Sequence, residues 1–139
     1  MTSVARVIHT ARTHTTGGRD NGASRSSDGR LDIRFATPGS PRIGTNPEQL
    51  LAAGWSACFE SAMAVTARKR NVVLPAEMAI DAEVDLRVAD NSSFLSTRLY
   101  ISLPGVDRDI AKSLIAEAHE ICPFSKAMHG NIDVAVNLV

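Results

Sequence analysis

The chain has 139 residues, with fifteen basic and fifteen acidic side chains, and 44% of its residues are hydrophobic. This length predicts one domain, covering residues 1–139. The formal net charge of zero excludes the strongly basic surface that nucleic acids and anionic membranes attract. The N-terminal segment has no hydrophobic run, so no signal peptide is predicted. Because the chain has only two cysteines and no predicted leader, we expect a cytoplasmic protein whose thiols are kept reduced.

The first third of the chain has the pattern of short strands separated by glycine-containing turns. Leu31, Ile33 and Phe35 alternate with polar residues, which is typical of a half-buried strand. Glycine clusters before and within this region favour turns. The predicted elements are a strand over 4–13, a turn over 17–22, strands over 23–27 and 31–35 joined by the Asp28-Gly29 turn, and a loop over 37–45.

A long helix is predicted next. Asn46 suits an N-cap, Pro47 suits the first helical position, and Glu48 complements the positive end of the helix dipole. The helical pattern continues to basic residues near Asn71. Polar residues interrupt its apolar run, which favours a buried central helix over a membrane span. The face predicted to be apolar consists of Leu51, Trp55, Cys58, Ala62 and Val65.

The remaining chain predicts a hairpin, a second helix and a last strand. Residues 80–88 and 95–103 both alternate in polarity around a polar turn. A helix is expected over 107–121 and is disturbed by Pro123, and a strand is expected over 131–139. The helix face predicted to point inward consists of Ile110, Leu114, Ala118 and Ile121. The resulting order, βββ-α-ββ-α-β, indicates an α+β fold.

Two cysteines are the residues that could carry chemistry, and the residues alone leave several interpretations open. Cys58 lies within the apolar helix and Cys122 at a helix end, so both could be inert buried thiols. A metal site is an alternative, because His119 and Cys122 are three positions apart and Cys58 or Glu48 could complete it. Arg19 has a functional role only if it is brought to a thiol, where its charge would favour the thiolate.

Several segments of the sequence resemble those of a known protein family. The similarity is to the organic hydroperoxide resistance (Ohr) branch of the OsmC-like proteins, and it extends over nearly the whole chain in the family's order. The segments that carry it are Gly17-Gly18-Arg19-Asp20, Ser26-Ser27-Asp28-Gly29, Leu31-Asp32, Thr45-Asn46-Pro47-Glu48-Gln49-Leu50, Ala52-Ala53-Gly54, Ala57-Cys58-Phe59, Ala118-His119, Ile121-Cys122-Pro123, Ser125 and Gly130-Asn131-Ile132-Asp133-Val134.

The resemblance implies an intertwined homodimer that reduces organic hydroperoxides, with its active sites at the subunit interface. It implies that Cys58 is the peroxidatic thiol, that Cys122 is the resolving thiol, and that Arg19 and Glu48 form a polar pair beside them. No bound cofactor or metal is implied. The external reductant would be the dihydrolipoyl group of a lipoylated protein. The alternatives are the osmotically inducible (OsmC) branch, with the same thiol chemistry, and a non-catalytic thiol- or metal-binding module.

An apolar pocket is expected beside the cysteines, which would favour bulky alkyl or fatty-acid hydroperoxides over hydrogen peroxide. Its predicted lining consists of Leu51, Trp55, Phe59, Phe124 and Met128. Several of these positions depart from the pattern that the resemblance leads us to expect. Trp55 and Ser56 replace Tyr and Ala, Leu51 replaces Phe, Phe124 replaces Tyr, and the loop before Thr45 reads GSPRIG.

Helix geometry places a constraint on the predicted site. Glu48 and Cys58 are ten residues apart, which is about 15 Å along a straight helix. Both can serve one site only if the helix breaks between them or if a second subunit supplies one of them. We favour the second subunit, which would make dimerisation part of catalysis.

Overall fold

The computed structural model describes residues 4–139 and contains two compact units. One unit ends at Pro47 and the other covers Glu48–Val139. The elements of both confirm the predicted α+β class. The single domain over residues 1–139 stays a prediction.

The N-terminal unit is a three-stranded antiparallel sheet. Its strands are β1 (Thr13–Thr16), β2 (Ala23–Ser26) and β3 (Asp32–Arg34), in the order β1-β2-β3. A one-turn helix, α1 (Gly18–Asn21), joins the first two strands. Phe35 then bridges in parallel to Thr45, which closes the predicted loop over residues 37–45.

The prediction of a first strand over Val4–Thr13 is wrong, because β1 begins only at Thr13. Thr13 pairs with Ser26, the last residue of β2, and among the described residues of this unit no strand pairs with residues 4–12. The apolar side chains that suggested a strand are exposed, as shown by Val4 at 93% and Ile8 at 86%. Without a partner strand or a buried face, nothing holds these residues in a ladder.

The predicted long helix is α2 (Pro47–Lys69), and all of it after Pro47 belongs to the C-terminal unit. By length and composition alone, α2 could also cross a membrane. However, its side chains supply much of the core, since Trp55, Phe59 and Met63 are completely buried. The buried face is rotated from the predicted one, and Val65 is 36% exposed.

A hairpin packs with this helix and provides the central strand of the second sheet. β4 (Ala79–Ala89) and β5 (Ser92–Ser102) are antiparallel and joined by Asp90-Asn91, both with positive φ. This two-residue turn is shorter than predicted and matches the twist of paired strands. On the hairpin's outer face, the Arg98 guanidinium donates to both oxygens of Asp85 at 2.6 and 2.9 Å and lowers the pKa of that carboxyl.

The chain then crosses over to a parallel strand through two helices instead of one. These are α3 (Arg108–Ile121) and α4 (Pro123–Met128), and they lead to β6 (Asp133–Leu138), which pairs in parallel with β5. Asp107 caps α3 by accepting hydrogen bonds from two backbone amides. The buried face of α3 consists of Ala111, Leu114, Ile115 and Ala118. Ile110, which was predicted to face inward, is 42% exposed.

Candidate functional site

The first cysteine lies in the middle of α2. Cys58 is half-buried and packs against the core cluster that contains Trp55 and Phe59. It follows Trp55 by about one turn and directly precedes Phe59, and these two side chains anchor the helix in the core. A residue on a rigid helix between two buried aromatic side chains is held in a fixed direction, as a nucleophile requires.

The second cysteine lies at the corner between α3 and α4. Cys122 is completely buried and has φ −64° and ψ 120°, so it is extended between two helices. The cause is Pro123, since the residue before a proline is driven out of the helical region. Pro123 then begins α4, a position in which its missing N–H costs nothing. The predicted break after Cys122 is therefore confirmed, and it places Cys122 at the corner between the two helices.

The two sulfur atoms are in contact. Cys122 Sγ lies 3.4 Å from Cys58 Sγ and donates a hydrogen bond to it, and both thiols are free. The bond joins residues 64 positions apart, so the fold and not local spacing brings them together. Burial raises the pKa of the Cys58 thiol, and the backbone N–H of Phe124 acts in the opposite direction. The two sulfurs are close enough to form a disulfide. However, burial opposes ionisation of Cys58, so another group would be needed to favour its thiolate.

The short helix α4 is fixed against α2 by two further contacts. Trp55 Nε1 donates a hydrogen bond to Ser125 Oγ at 3.0 Å, and both side chains are completely buried. The ring of Phe124 lies against Gly54, where an added Cβ would come within 3.2 Å of the ring. The start of α4 therefore touches α2 at the same level as the two sulfurs.

The five residues predicted to line a pocket occupy two different environments. Trp55, Phe59 and Met128 are part of the core cluster, with exposures of 0, 0 and 8%. Leu51 is half-buried and packs against that cluster, and Phe124 is 40% exposed. Only Leu51 and Phe124 have the accessible apolar surface that a pocket wall needs.

Arg19 lies on α1 in the N-terminal unit and is exposed. The loop around it is tight, because a Cβ added at Gly22 would lie 2.2 Å from the carbonyl oxygen of Gly18. Arg42, from the GSPRIG loop, braces the end of α1. Its Nε donates to the Phe35 carbonyl at 2.9 Å, and its Nη2 lies 3.3 Å from the carbonyl oxygens of both Asn21 and Gly22.

Glu48 is half-buried in the first turn of α2, as predicted. The helix runs without interruption from Pro47 to Lys69. The ten residues from Glu48 to Cys58 therefore span about 15 Å of rigid helix. The structure excludes a helix break as the way to bring these two residues of one chain to a common site.

The metal-binding alternative has no support in residues 4–139, where no three or more His, Cys, Asp or Glu side chains cluster in a way that could hold a metal ion. His119 faces His129 instead, with ring centroids 5.6 Å apart. His119 Nδ1 is buried and has no hydrogen-bond partner among the described residues. Burial lowers the pKa of His119, and the charge of His129 adds to this effect.

Two groups of the C-terminal unit beside the cysteines, the Ser125 hydroxyl and the Phe124 amide, were not recognised from the sequence alone. In the N-terminal unit, the Arg42 brace of α1 was also not recognised. Ser125 lies 70 positions from its partner Trp55, and no spacing rule pairs residues so distant. Arg42 belongs to a loop that differs from the expected glycine-rich one. That difference was the only signal in the sequence that pointed to it.

Comparisons with known proteins place the chain in a family. Residues 37–137 match the family described as OsmC-like protein. The chain is 41% identical over 142 residues to an organic hydroperoxide resistance protein of Xanthomonas axonopodis pv. citri, and the match covers 99% of each protein.

Solved structures show the same relationship. A crystal structure of an organic hydroperoxide resistance protein from Legionella pneumophila has a TM-score of 0.87 and 36% identity, covering 96% of this chain and 98% of that one. The organic hydroperoxide resistance protein OhrB of Bacillus subtilis has a TM-score of 0.86 and 35% identity, covering 96% and 100%. On sequence and fold together, this chain belongs to the OsmC-like family, in its organic hydroperoxide resistance branch.

Proposed function

We propose that the protein is a cysteine-based peroxidase that reduces organic hydroperoxides and so contributes to resistance against them. The observation that carries the proposal is the 3.4 Å contact between the half-buried Cys58 and the buried Cys122. An attacking thiol and a second thiol within reach of it are what a two-cysteine peroxidase needs. The relatives that are named for organic hydroperoxide resistance support the substrate class.

The proposed reaction has two chemical steps in the protein. The Cys58 thiolate attacks the outer peroxide oxygen, the O–O bond breaks, and the alkoxide leaves and takes up a proton as an alcohol. Cys58 is left as a sulfenic acid. The sulfur of Cys122 then attacks that of Cys58, the S–O bond breaks, and water leaves with the thiol proton. The disulfide protects Cys58 from irreversible over-oxidation.

A dithiol has to reduce the disulfide before the next turnover. We propose the dihydrolipoyl group of a lipoylated protein, whose two thiols give a lipoyl disulfide while Cys58 and Cys122 return to thiols. Such a donor is external, and no bound cofactor is needed. The reaction also requires a compartment in which thiols are kept reduced, and the cytoplasm meets this requirement.

The polar pair is assigned to ionising Cys58. Because burial raises the pKa of this thiol, a fixed cation is needed to favour the thiolate. Arg19 would supply it, since guanidinium stays charged and donates in a fixed fork. Glu48 would orient Arg19 through charge-assisted hydrogen bonds.

The unbroken α2 makes a homodimer part of this proposal. Glu48 of one chain lies about 15 Å along the helix from Cys58 of the same chain, so a second copy would supply the Glu48 that serves each Cys58. We propose the intertwined dimer that the family resemblance implies, with two interfacial sites. Leu51 and Phe124 would line the apolar entrance, in front of the core residues Trp55, Phe59 and Met128.

The test is steady-state turnover of cumene hydroperoxide and hydrogen peroxide with dihydrolipoamide as the reductant. We expect faster consumption of the organic peroxide, abolished in Cys58→Ser. Cys122→Ser should still react once but should accumulate sulfenic or sulfinic acid, which mass spectrometry detects. No turnover of either peroxide by the reduced wild-type protein would contradict the proposal.

A further inference from the structure

A buried hydrogen bond joins α2 to α4. Trp55 Nε1 lies 3.0 Å from Ser125 Oγ, and neither side chain has any exposed surface. The indole N–H can only donate, so the Ser125 hydroxyl is the acceptor. A buried N–H that lost its acceptor would be left unpaired in the core, which destabilises the folded state. The contact therefore fixes where α4 begins relative to α2.

This hydrogen bond is one turn away from both cysteines. Trp55 precedes Cys58 by three residues, and Ser125 follows Cys122 by three. Consequently, the same two segments that carry the sulfurs also carry the hydrogen bond. Two neighbouring contacts therefore connect α2 to the corner between α3 and α4: the Trp55–Ser125 hydrogen bond at 3.0 Å and the sulfur contact at 3.4 Å.

The corner has few other attachments through α4. The helix has six residues, of which only Ser125 and Met128 are buried. A helix this short is marginal without tertiary contacts. Cys122 itself is extended and bonds through its N–H to the Ala118 carbonyl of α3. The direction of its side chain on the α4 side therefore depends on what holds Ser125.

We propose that Trp55 and Ser125 are positioning residues for the resolving step, in which Cys122 attacks the oxidised Cys58. This role rests on the proposed peroxidase function. The hydrogen bond keeps the two sulfurs in contact, so that only a movement of about 1.4 Å separates the 3.4 Å thiol pair from the bonding distance of a disulfide. It raises the effective concentration of one thiol at the other and touches neither substrate nor reductant.

The experiment measures disulfide formation without peroxide. Reduced protein is equilibrated with oxidised and reduced dithiothreitol, and the Cys58–Cys122 disulfide is quantified by thiol alkylation and mass spectrometry. Dithiothreitol disulfide accepts the two electrons, so the equilibrium constant reports how well the sulfurs are held together. Because the effective concentration of one thiol at the other depends steeply on how the two are placed, we expect this equilibrium constant to fall at least about tenfold in Ser125→Ala and in Trp55→Phe.

A double variant separates positioning from stability. Trp55→Phe with Ser125→Ala removes both partners, so no polar group is left buried and unpaired, and stability should recover relative to Ser125→Ala. Thiol pairing should stay weak in the double variant if the hydrogen bond positions Cys122. Recovery of thiol pairing together with stability would overturn the proposal, as would wild-type pairing in Ser125→Ala.

Thr66→Val is the matched control. It removes a buried hydroxyl from α2, which donates to the Met63 carbonyl at 3.0 Å and lies about 16 Å along the helix from Trp55. We expect a lower melting temperature and an unchanged equilibrium constant. An equal fall in this control would overturn the proposal. A wild type that forms the disulfide in this buffer and never with an organic peroxide would overturn the proposed function and the resolving role with it.

The rates of sulfenic acid formation and of its conversion to the disulfide are measured with an organic peroxide. Ser125→Ala should form the Cys58 sulfenic acid at close to the wild-type rate and convert it to the disulfide at least about tenfold more slowly. More sulfinic acid should then accumulate at high peroxide. Equal slowing of both steps would indicate a general loss of structure and would count against a positioning role.

Discussion

Cys58 lies at a position that is good for holding a thiol and poor for ionising it. Within the C-terminal unit, the Phe124 amide is the group that lowers its pKa, and burial outweighs that effect. A peroxidatic thiol needs the opposite balance, because the thiolate is the nucleophile. This imbalance in one residue is the physical reason for assigning a cation such as Arg19 to the site.

His119 gives a prediction about pH and stability. Burial lowers its pKa from the ordinary 6.5, so the unfolded chain binds this proton more tightly than the folded chain. The stabilisation is complete above pH 6.5 and is lost as the pH falls from 6.5 towards the lowered folded-state pKa. We expect the melting temperature of wild type to drop over that range and that of His119→Asn to drop less. Parallel curves for the two proteins would contradict this assignment.

At the scale of single residues, the sequence identified the two cysteines but not the side-chain contacts that hold them in place. Cys58 and Cys122 were recognised because cysteine is rare in the chain and because the sequence segments around them resemble those of a family. Trp55 was assigned to a pocket, and in the structure its ring is in the core with its N–H on Ser125. An indole has both an apolar body and a polar edge, so its sequence position alone does not decide between the two roles.

Among the secondary-structure elements, α1 is braced by the loop that contains Arg42. Arg42 bonds to carbonyl oxygens at the end of the helix that holds Arg19. Arg42→Ala should loosen this helix and, under the proposed mechanism, slow sulfenic acid formation by about tenfold or more, since hydrogen bonds from charged donors contribute about 1.5–3 kcal/mol and about 1.36 kcal/mol in a barrier is tenfold in rate. Stopped-flow kinetics with an organic peroxide measures this rate.

The control is Arg30→Ala, which removes the same charge from the exposed Asp28-Gly29 turn of the same unit. It should react at close to the wild-type rate. Equal slowing in both variants would indicate that total charge matters and not the brace.

The elements that the sequence predicted well have strong local signals. α2 begins at Pro47 and the hairpin strands follow their alternating pattern, because capping and periodicity act within a few residues. Residues 4–12 and α4 were missed for the opposite reason. Whether an upstream strand forms depends on a neighbouring strand, which the described residues of this unit do not supply. For α4, six residues are too few for a periodic pattern.

For the whole molecule, the arrangement of subunits can be tested by mixing two inactive variants. Cys58→Ser and Glu48→Gln are each expected to be inactive alone. If Glu48 acts across the dimer, a mixed dimer has one site with an intact Cys58 and an intact Glu48. Random mixing should therefore restore about a quarter of wild-type turnover. Mixtures refolded together and assayed with an organic peroxide give the answer, and no recovery would show that Glu48 acts within its own chain or not at all.

The uninterrupted α2 has a consequence for damaged copies of the protein. Under the proposed arrangement, each helix carries the nucleophile of one site and, about 15 Å earlier, the carboxylate of the other. A chain with both Glu48→Gln and Cys58→Ser would then inactivate both sites of any dimer that it joins, including the site built on its partner's intact cysteine. Such a double variant would be dominant-negative. A dimer of wild type with either single variant would instead keep one of its two sites and so half of its activity.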